Sequence, residues 1–276
     1  MSLAVLTIAV AAGVLIGMSL GTLGGGGSIM AVPVLVYLLG QSPAQATTGS
    51  LVVVGVTSFI GAATAYRAGN VLLGRGVAFG FVAIGGAAAG AKAAAHVPED
   101  VLLAAFAGLM LVVGAVMAWR QLRRRSQRST DTQRPTLDDP IITFSPTFTC
   151  QCPRALKVLV TATVVGLVTG FLGVGGGFLV VPALLLALAL PMEYAAGTSL
   201  VVITITSVSA LAVRVGTGTT PDWGPVLALT AASALAAVAG AHLADRINTH
   251  QLQAAFTVLV LGVAVFTATR ALPALA

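Results

Sequence analysis

The chain has 276 residues, of which 57% are hydrophobic and only 8% charged, with a net charge of +6. A soluble domain carries about 25% charged residues, so this chain cannot cover itself with polar surface in water, and lipid must be its solvent over much of its length. The positive charge does not indicate nucleic acid. Arg120, Arg123, Arg124, Arg125, Arg128 and Arg134 fall in one stretch between apolar segments, as the positive-inside rule expects of a cytoplasmic loop, and no RNA or DNA motif accompanies them.

About 20 apolar residues cross a hydrocarbon core. Eight runs of that kind appear: 3–23, 46–66, 74–95 and 101–119, then 155–172, 195–213, 224–244 and 252–269. The first lacks a charged n-region and reads as a span rather than a removed signal peptide. Residues 120–154 are rich in Ser, Thr, Pro and charge, the composition of a linker. The expectation is an all-α integral membrane protein of about eight transmembrane helices in two four-helix repeats. Residues 1–120 and 155–276 form the repeats, joined by a basic cytoplasmic linker over 121–154.

Two further apolar pieces, 28–39 and 178–190, hold only about a dozen residues each. At ~1.5 Å per residue they reach barely halfway across. Each follows a glycine cluster and precedes a turn, which predicts a re-entrant half-helix buried in protein or lining a cavity. With both pieces re-entrant, the termini and the central loop share one side. If each completes a crossing instead, the halves are inverted. The shortness of the pieces favours the first arrangement.

An internal repeat underlies this division. The stretch Gly21 to Ser28 lies over Gly170 to Gly177 without a gap, and the same register sets Pro33 on Pro182, Leu35 on Leu184 and Ser50 on Ser199. Duplicated halves with glycine-broken short helices are a sequence pointer to a transporter's binding site.

The glycine clusters are the first candidate site: Gly24, Gly25, Gly26, Gly27 and Ser28, with Gly173, Gly175, Gly176 and Gly177. Backbone N–H groups at a helix start offer donors and partial positive charge to an anion, and glycine admits close approach. Small-residue helix packing is the other use of such glycines; two clusters at matching positions favour binding. Thr48, Ser50, Thr198 and Ser199 stand at the start of the next span in each half, as donors to an anion or as helix caps. Thr57, Ser58, Thr204, Thr206, Ser207 and Ser209 continue a polar stripe down the same spans, with bonding back to the helix as its plain explanation.

No Asp or Glu lies mid-span, so no carboxylate relay is expected. Arg67 and Arg214 end equivalent spans and could draw an anion at the cytoplasmic mouth, with Lys92 and His242 near the opposite one. Anchoring of span ends is their alternative use. Cys150 and Cys152 lack further ligands nearby and read as free thiols. No catalytic set, metal spacing or nucleotide loop appears; neither an enzyme nor a cofactor or metal is expected.

The residues Gly24 through Pro33 with Leu35, repeated as Gly173 through Pro182 with Leu184 and followed by Gly197-Thr198-Ser199-Leu200, resemble the sulfite exporter TauE/SafE family, also called toluenesulfonate uptake permeases. The resemblance covers nearly the whole chain. Thr47-Thr48-Gly49-Ser50 departs from it, since the family pattern runs closer to Gly-Thr-Ser. Membership implies a multi-pass carrier of the bacterial inner membrane for small sulfur-containing anions such as sulfite, thiosulfate, sulfoacetate or other organosulfonates. It implies no direction of transport. A passive anion channel or a non-transporting scaffold subunit is the alternative.

Overall fold

A computed structural model describes residues 3–94, 97, 105, 108–119, 152–172, 177–188, 190–214, 221–244, 251 and 254–265. Among them all regular structure is helical. In chain order the helices are α1 (Leu3–Leu23), α2 (Gly26–Leu38), α3 (Pro43–Arg67), α4 (Leu73–Ala94), α5 (Gly108–Trp119) and α6 (Cys152–Leu172). Then follow α7 (Gly177–Ala187), α8 (Met192–Arg214), α9 (Trp223–Ala244) and α10 (Ala254–Val265).

Five stretches among the described residues are long and apolar enough to cross a membrane: Val5–Leu23, Ala44–Arg67, Leu73–Gly90, Tyr194–Arg214 and Trp223–Ala244. Large apolar side chains such as Phe81 (65% exposed) and Leu235 (77% exposed) point outward from them. Water would not tolerate that surface; lipid does. The protein is a multi-pass membrane protein. The three remaining runs expected to span (101–119, 155–172 and 252–269) coincide with shorter apolar stretches, Gly108–Trp119, Val158–Phe171 and Ala254–Val265.

Local signals set the helix ends. Ser42 caps α3: its Oγ accepts from the Gln45 N–H while the Gln45 Oε1 accepts from the Ser42 N–H, with Pro43 in the first turn. Such a reciprocal pair satisfies two orphan donors. Before this cap the Gln41 N–H donates to Leu35 O at 3.0 Å, and at the matching point of the second half the Leu190 N–H donates to Leu184 O at 3.2 Å.

The long helices lie in a row: α1 on α9, α9 on α3, α3 on α8, α8 on α4 and α4 on α6. The outer pairs are set by glycine. A methyl on Gly13, Gly17 or Gly21 of α1 would run into the carbonyls of Leu229, Ser233 or Ala237 in turn. Those on Gly86 and Gly90 would meet the carbonyls of Thr163 and Leu167, and those on Gly166 and Gly170 the carbonyls of Ala83 and Ala87. Backbones this close are what small residues at four-residue spacing allow in lipid.

The same contacts fix direction. Opposed residues rise together along α1 and α9, along α4 and α6, and along α4 and α8 (Gly76 by Val201, Gly80 by Ile205). They also rise together along α3 and α9, with Gly49 by Val226 and Thr57 by Ser233. Along α3 and α8 they run opposed, with Gly61 by Leu200, Gly55 by Ser207 and Thr48 by Arg214. So α1, α3 and α9 run one way and α4, α6 and α8 the other.

This corrects the favoured topology. A re-entrant α2 that handed the chain back on the side where α1 ends would set α3 against α1, yet α3 runs with it. Gly27 packs back on Ile16 and Leu20, so α2 returns along α1 towards the end where α1 began. Its short length suffices because it begins in the interior rather than ending there.

Candidate functional site

The starts of α2 and α7 meet inside the row. A methyl on Gly25 would collide with the Gly177 carbonyl, and one on Gly177 would lie 2.7 Å from Ser28 Oγ and 2.8 Å from Ile203 Cδ1. Ile203 is the midpoint of α8, so the meeting point is deep in the bundle. Gly24 makes the turn out of α1 with φ +76°, a left-handed conformation that glycine adopts without penalty. A methyl there would also stand 2.6 Å from Ser199 Oγ. The structure thus brings Gly24, Gly25, Gly26, Gly27, Ser28, Gly177 and Ser199 together. Gly173, Gly175 and Gly176 lie outside the described residues.

The glycines are not equivalent. Gly26 has room: a methyl would find its nearest neighbour, Leu23 Cδ1, at 3.4 Å and Phe256 at 3.5 Å. Gly25 and Gly27 have none, since the Gly177 and Ile16 carbonyls stand in the way. The N–H groups of Gly26 and Gly27 belong to the first turn of α2, where helical geometry supplies no acceptor.

The hydroxyls singled out from the sequence are mostly engaged. Ser28 donates to Gly25 O (2.7 Å), Thr48 to Ala44 O (3.1 Å), Ser50 to Thr47 O (2.8 Å) and Ser199 to Ala196 O (2.7 Å). Thr198 Oγ1 accepts from the Leu72 N–H at 3.1 Å, tying α8 to the turn before α4. A hydroxyl has one proton, so the donors among them already spend it within their own helix.

Arg67 and Arg214 do not share a mouth. Each ends a helix, α3 and α8, and these run in opposite directions, so the two guanidiniums stand at opposite ends of the row. Lys92 ends α4 at the Arg214 end, and His242 ends α9 at the Arg67 end. At one end Arg214 Nη1 donates to Thr48 Oγ1 at 3.5 Å. At the other a cavity of about 530 Å³ opens among the ends of α1, α3 and α9 and the start of α8, with Thr22, Thr64, Arg67, Asn70, Gly197 and His242 on its wall. Among the described residues no cluster of His, Cys, Asp or Glu could hold a metal.

Asn70 and the Thr57–Ser233 hydrogen bond (2.7 Å) were not legible from sequence. The close pairing of α1 with α9 did leave a signal, in the glycines at 13, 17 and 21.

A row of apolar helices around an interior polar junction, with a wide cavity at one end, is the build of a membrane transport protein. The profile described as sulfite exporter TauE/SafE matches residues 9–267, so the chain belongs to that family. A probable membrane transporter protein of Xylella fastidiosa (strain 9a5c) is 29% identical over 269 residues, 96% of each chain. Another from Xylella fastidiosa (strain Temecula1) is 33% identical over 74% of this chain and 71% of its own. The probable membrane transporter protein YdhB of Bacillus subtilis (strain 168) is 27% identical over 68% of this chain and 70% of its own. No solved structure gives a significant match. Membership of this family and the names of these relatives indicate a membrane transporter rather than an enzyme.

Proposed function

We propose that this chain is a secondary transporter that moves small sulfur-containing anions, such as sulfite, thiosulfate, sulfoacetate or other organosulfonates, across a bacterial inner membrane. The anion is held between two inverted halves at the starts of α2 and α7. The observation that carries this reading is the meeting of those two helix starts beside Ile203, at the middle of α8. Helix starts present unpaired N–H groups and partial positive charge to an anion. The opposed directions of α3 and α8 and of α4 and α9 suit alternating access by inverted halves around a fixed site.

Orientation follows from charge. Arg67, Arg75 and the first turns of α6, which include Arg154 and Lys157, share the cavity end, while Lys92 and Arg214 stand at the other. The basic excess marks the cavity end as cytoplasmic.

The test is flux in proteoliposomes. Purified protein should carry at least one of sulfite, thiosulfate and sulfoacetate with saturable kinetics. No flux of any of the three would refute the substrate class; single-channel currents in a planar bilayer would refute the carrier mechanism.

A further inference from the structure

The seam between α3 and α8 joins the two ends of the protein. On α3 it runs from Thr64 in the cavity wall, past Gly61 against Leu200 and Gly55 against Ser207, to Thr48 under Arg214. Midway along it sit Ser58 and Ser207, 0% and 1% exposed. They occupy equivalent repeat positions, in the register that sets Ser50 on Ser199. Ser207 faces α3 at Gly55, where a methyl would stand 3.3 Å from its Cβ, and Ser58 lies one turn from both Gly55 and Gly61 on the same face of α3.

Neither Oγ has a hydrogen-bond partner. That sets them apart from neighbours on the same helices: Thr64, Thr204, Thr206 and Ser209 all bond back to carbonyls three or four residues earlier. A buried hydroxyl left unpaired is a net cost to the fold. The two helices meet here through side chains: a methyl on buried Gly55 would stand 3.3 Å from the Ser207 Cβ and one on Gly61 3.1 Å from Leu200 Cδ1, whereas the glycines of α1 and α4 that face α9 and α6 meet backbone.

We infer that Ser58 and Ser207 form a second anion station at the α3–α8 crossing, where both hydroxyls donate to the anion as it passes between the two ends. The inference rests on the transport reading above. A hydroxyl serves an anion through its proton or a cation through its lone pairs; the anion is favoured because no carboxylate lies in α3, or near this level in α8, to balance a positive charge. The station lies on the seam between the arginines, with Ser207 one turn of α8 beyond the Ile203 that meets the α2–α7 junction.

Two experiments decide it. In the first, Ser58→Ala and Ser207→Ala are compared with the parent for melting temperature and for sulfite and thiosulfate flux. The station predicts melting unchanged or raised, because an unpaired hydroxyl is removed, and Vmax/KM lower by roughly tenfold per hydroxyl. Lowered melting temperatures would mean the hydroxyls are structural donors and would overturn the inference; so would unchanged flux at unchanged stability. In the second, Ser58→Cys and Ser207→Cys, with Cys150 and Cys152 replaced by serine, are exposed to the anionic reagent 2-sulfonatoethyl methanethiosulfonate. Labelling supports an anion path at the seam, and no labelling of either cysteine overturns it. A parent that moves no sulfur anion while these cysteines are labelled refutes the substrate class and leaves the station standing.

Discussion

The outer helix pairs and the central pair solve opposite problems with similar residues. Along α1–α9 and α4–α6, glycine brings backbones so close that a single methyl would strike a carbonyl. Along α3–α8, Gly55 and Gly61 meet side chains rather than backbone, Ser207 at 3.3 Å and Leu200 at 3.1 Å, and two hydroxyls go unpaired. In lipid there is no hydrophobic drive between apolar helices, so close packing must hold them. The outer pairs are therefore held backbone to backbone, each joining a helix of one half to a helix of the other, while the central pair meets through side chains.

The sharpest break of this contrast is overpacking of the outer pairs. Gly17→Leu and Gly90→Leu would drive side chains into the Ser233 and Leu167 carbonyls and should cost about 3 kcal/mol or more, or prevent folding. Thermal melting in detergent reads this directly; parent-like melting would mean the helices are not in backbone contact. A smaller effect separates neighbours in the glycine cluster. Gly25→Ala meets the Gly177 carbonyl and should cost about 1–3 kcal/mol. Gly26→Ala has room and should change stability by less than ~1 kcal/mol, with helix propensity in its favour. Equal melting of the two variants would break the distinction.

Thr57→Val comes next. It removes the buried Thr57–Ser233 hydrogen bond between α3 and α9, and should cost about 0.5–1.5 kcal/mol in the same assay. Least of all, the bond from Arg214 to Thr48, long at 3.5 Å and at a helix end, should contribute about 0.5 kcal/mol or less, read as the coupling of Arg214→Gln with Thr48→Val in a double-mutant cycle of melting. A large coupling would mean that the Arg214 end is held shut by that contact.

Much of the architecture was legible beforehand. Apolar runs located α1, α3, α4, α8 and α9 to within a few residues, and the clusters at 24–28 and 173–177 announced that α2 and α7 begin at glycine. Direction was not legible. An apolar run is equally apolar read either way, and what set α3 alongside α1 was the packing of Gly27 against Ile16 and Leu20. The site was half legible. Ser50 and Ser199 were found as a matched pair, but each spends its proton on a carbonyl three residues back. Ser58 and Ser207 were part of a polar stripe, and only the absence of such a bond distinguishes them. Whether a hydroxyl finds a carbonyl within its own turn depends on its rotamer, which spacing does not encode.

The pairing of α1 with α9 also reaches back to synthesis. Leu23 ends α1 and Trp223 begins α9, so roughly 200 residues separate the partners. At ~5–20 residues per second, α1 waits for about 10–40 seconds in the bilayer with its glycine face against lipid. During that interval Thr57 of α3, already inserted, has yet to meet Ser233. A half-finished chain therefore has α2 packed on α1 and α3 but lacks the partners that α1 and α3 take from the second half. The two halves expressed as separate polypeptides should each be short-lived in cells and outlast that fate only when made together.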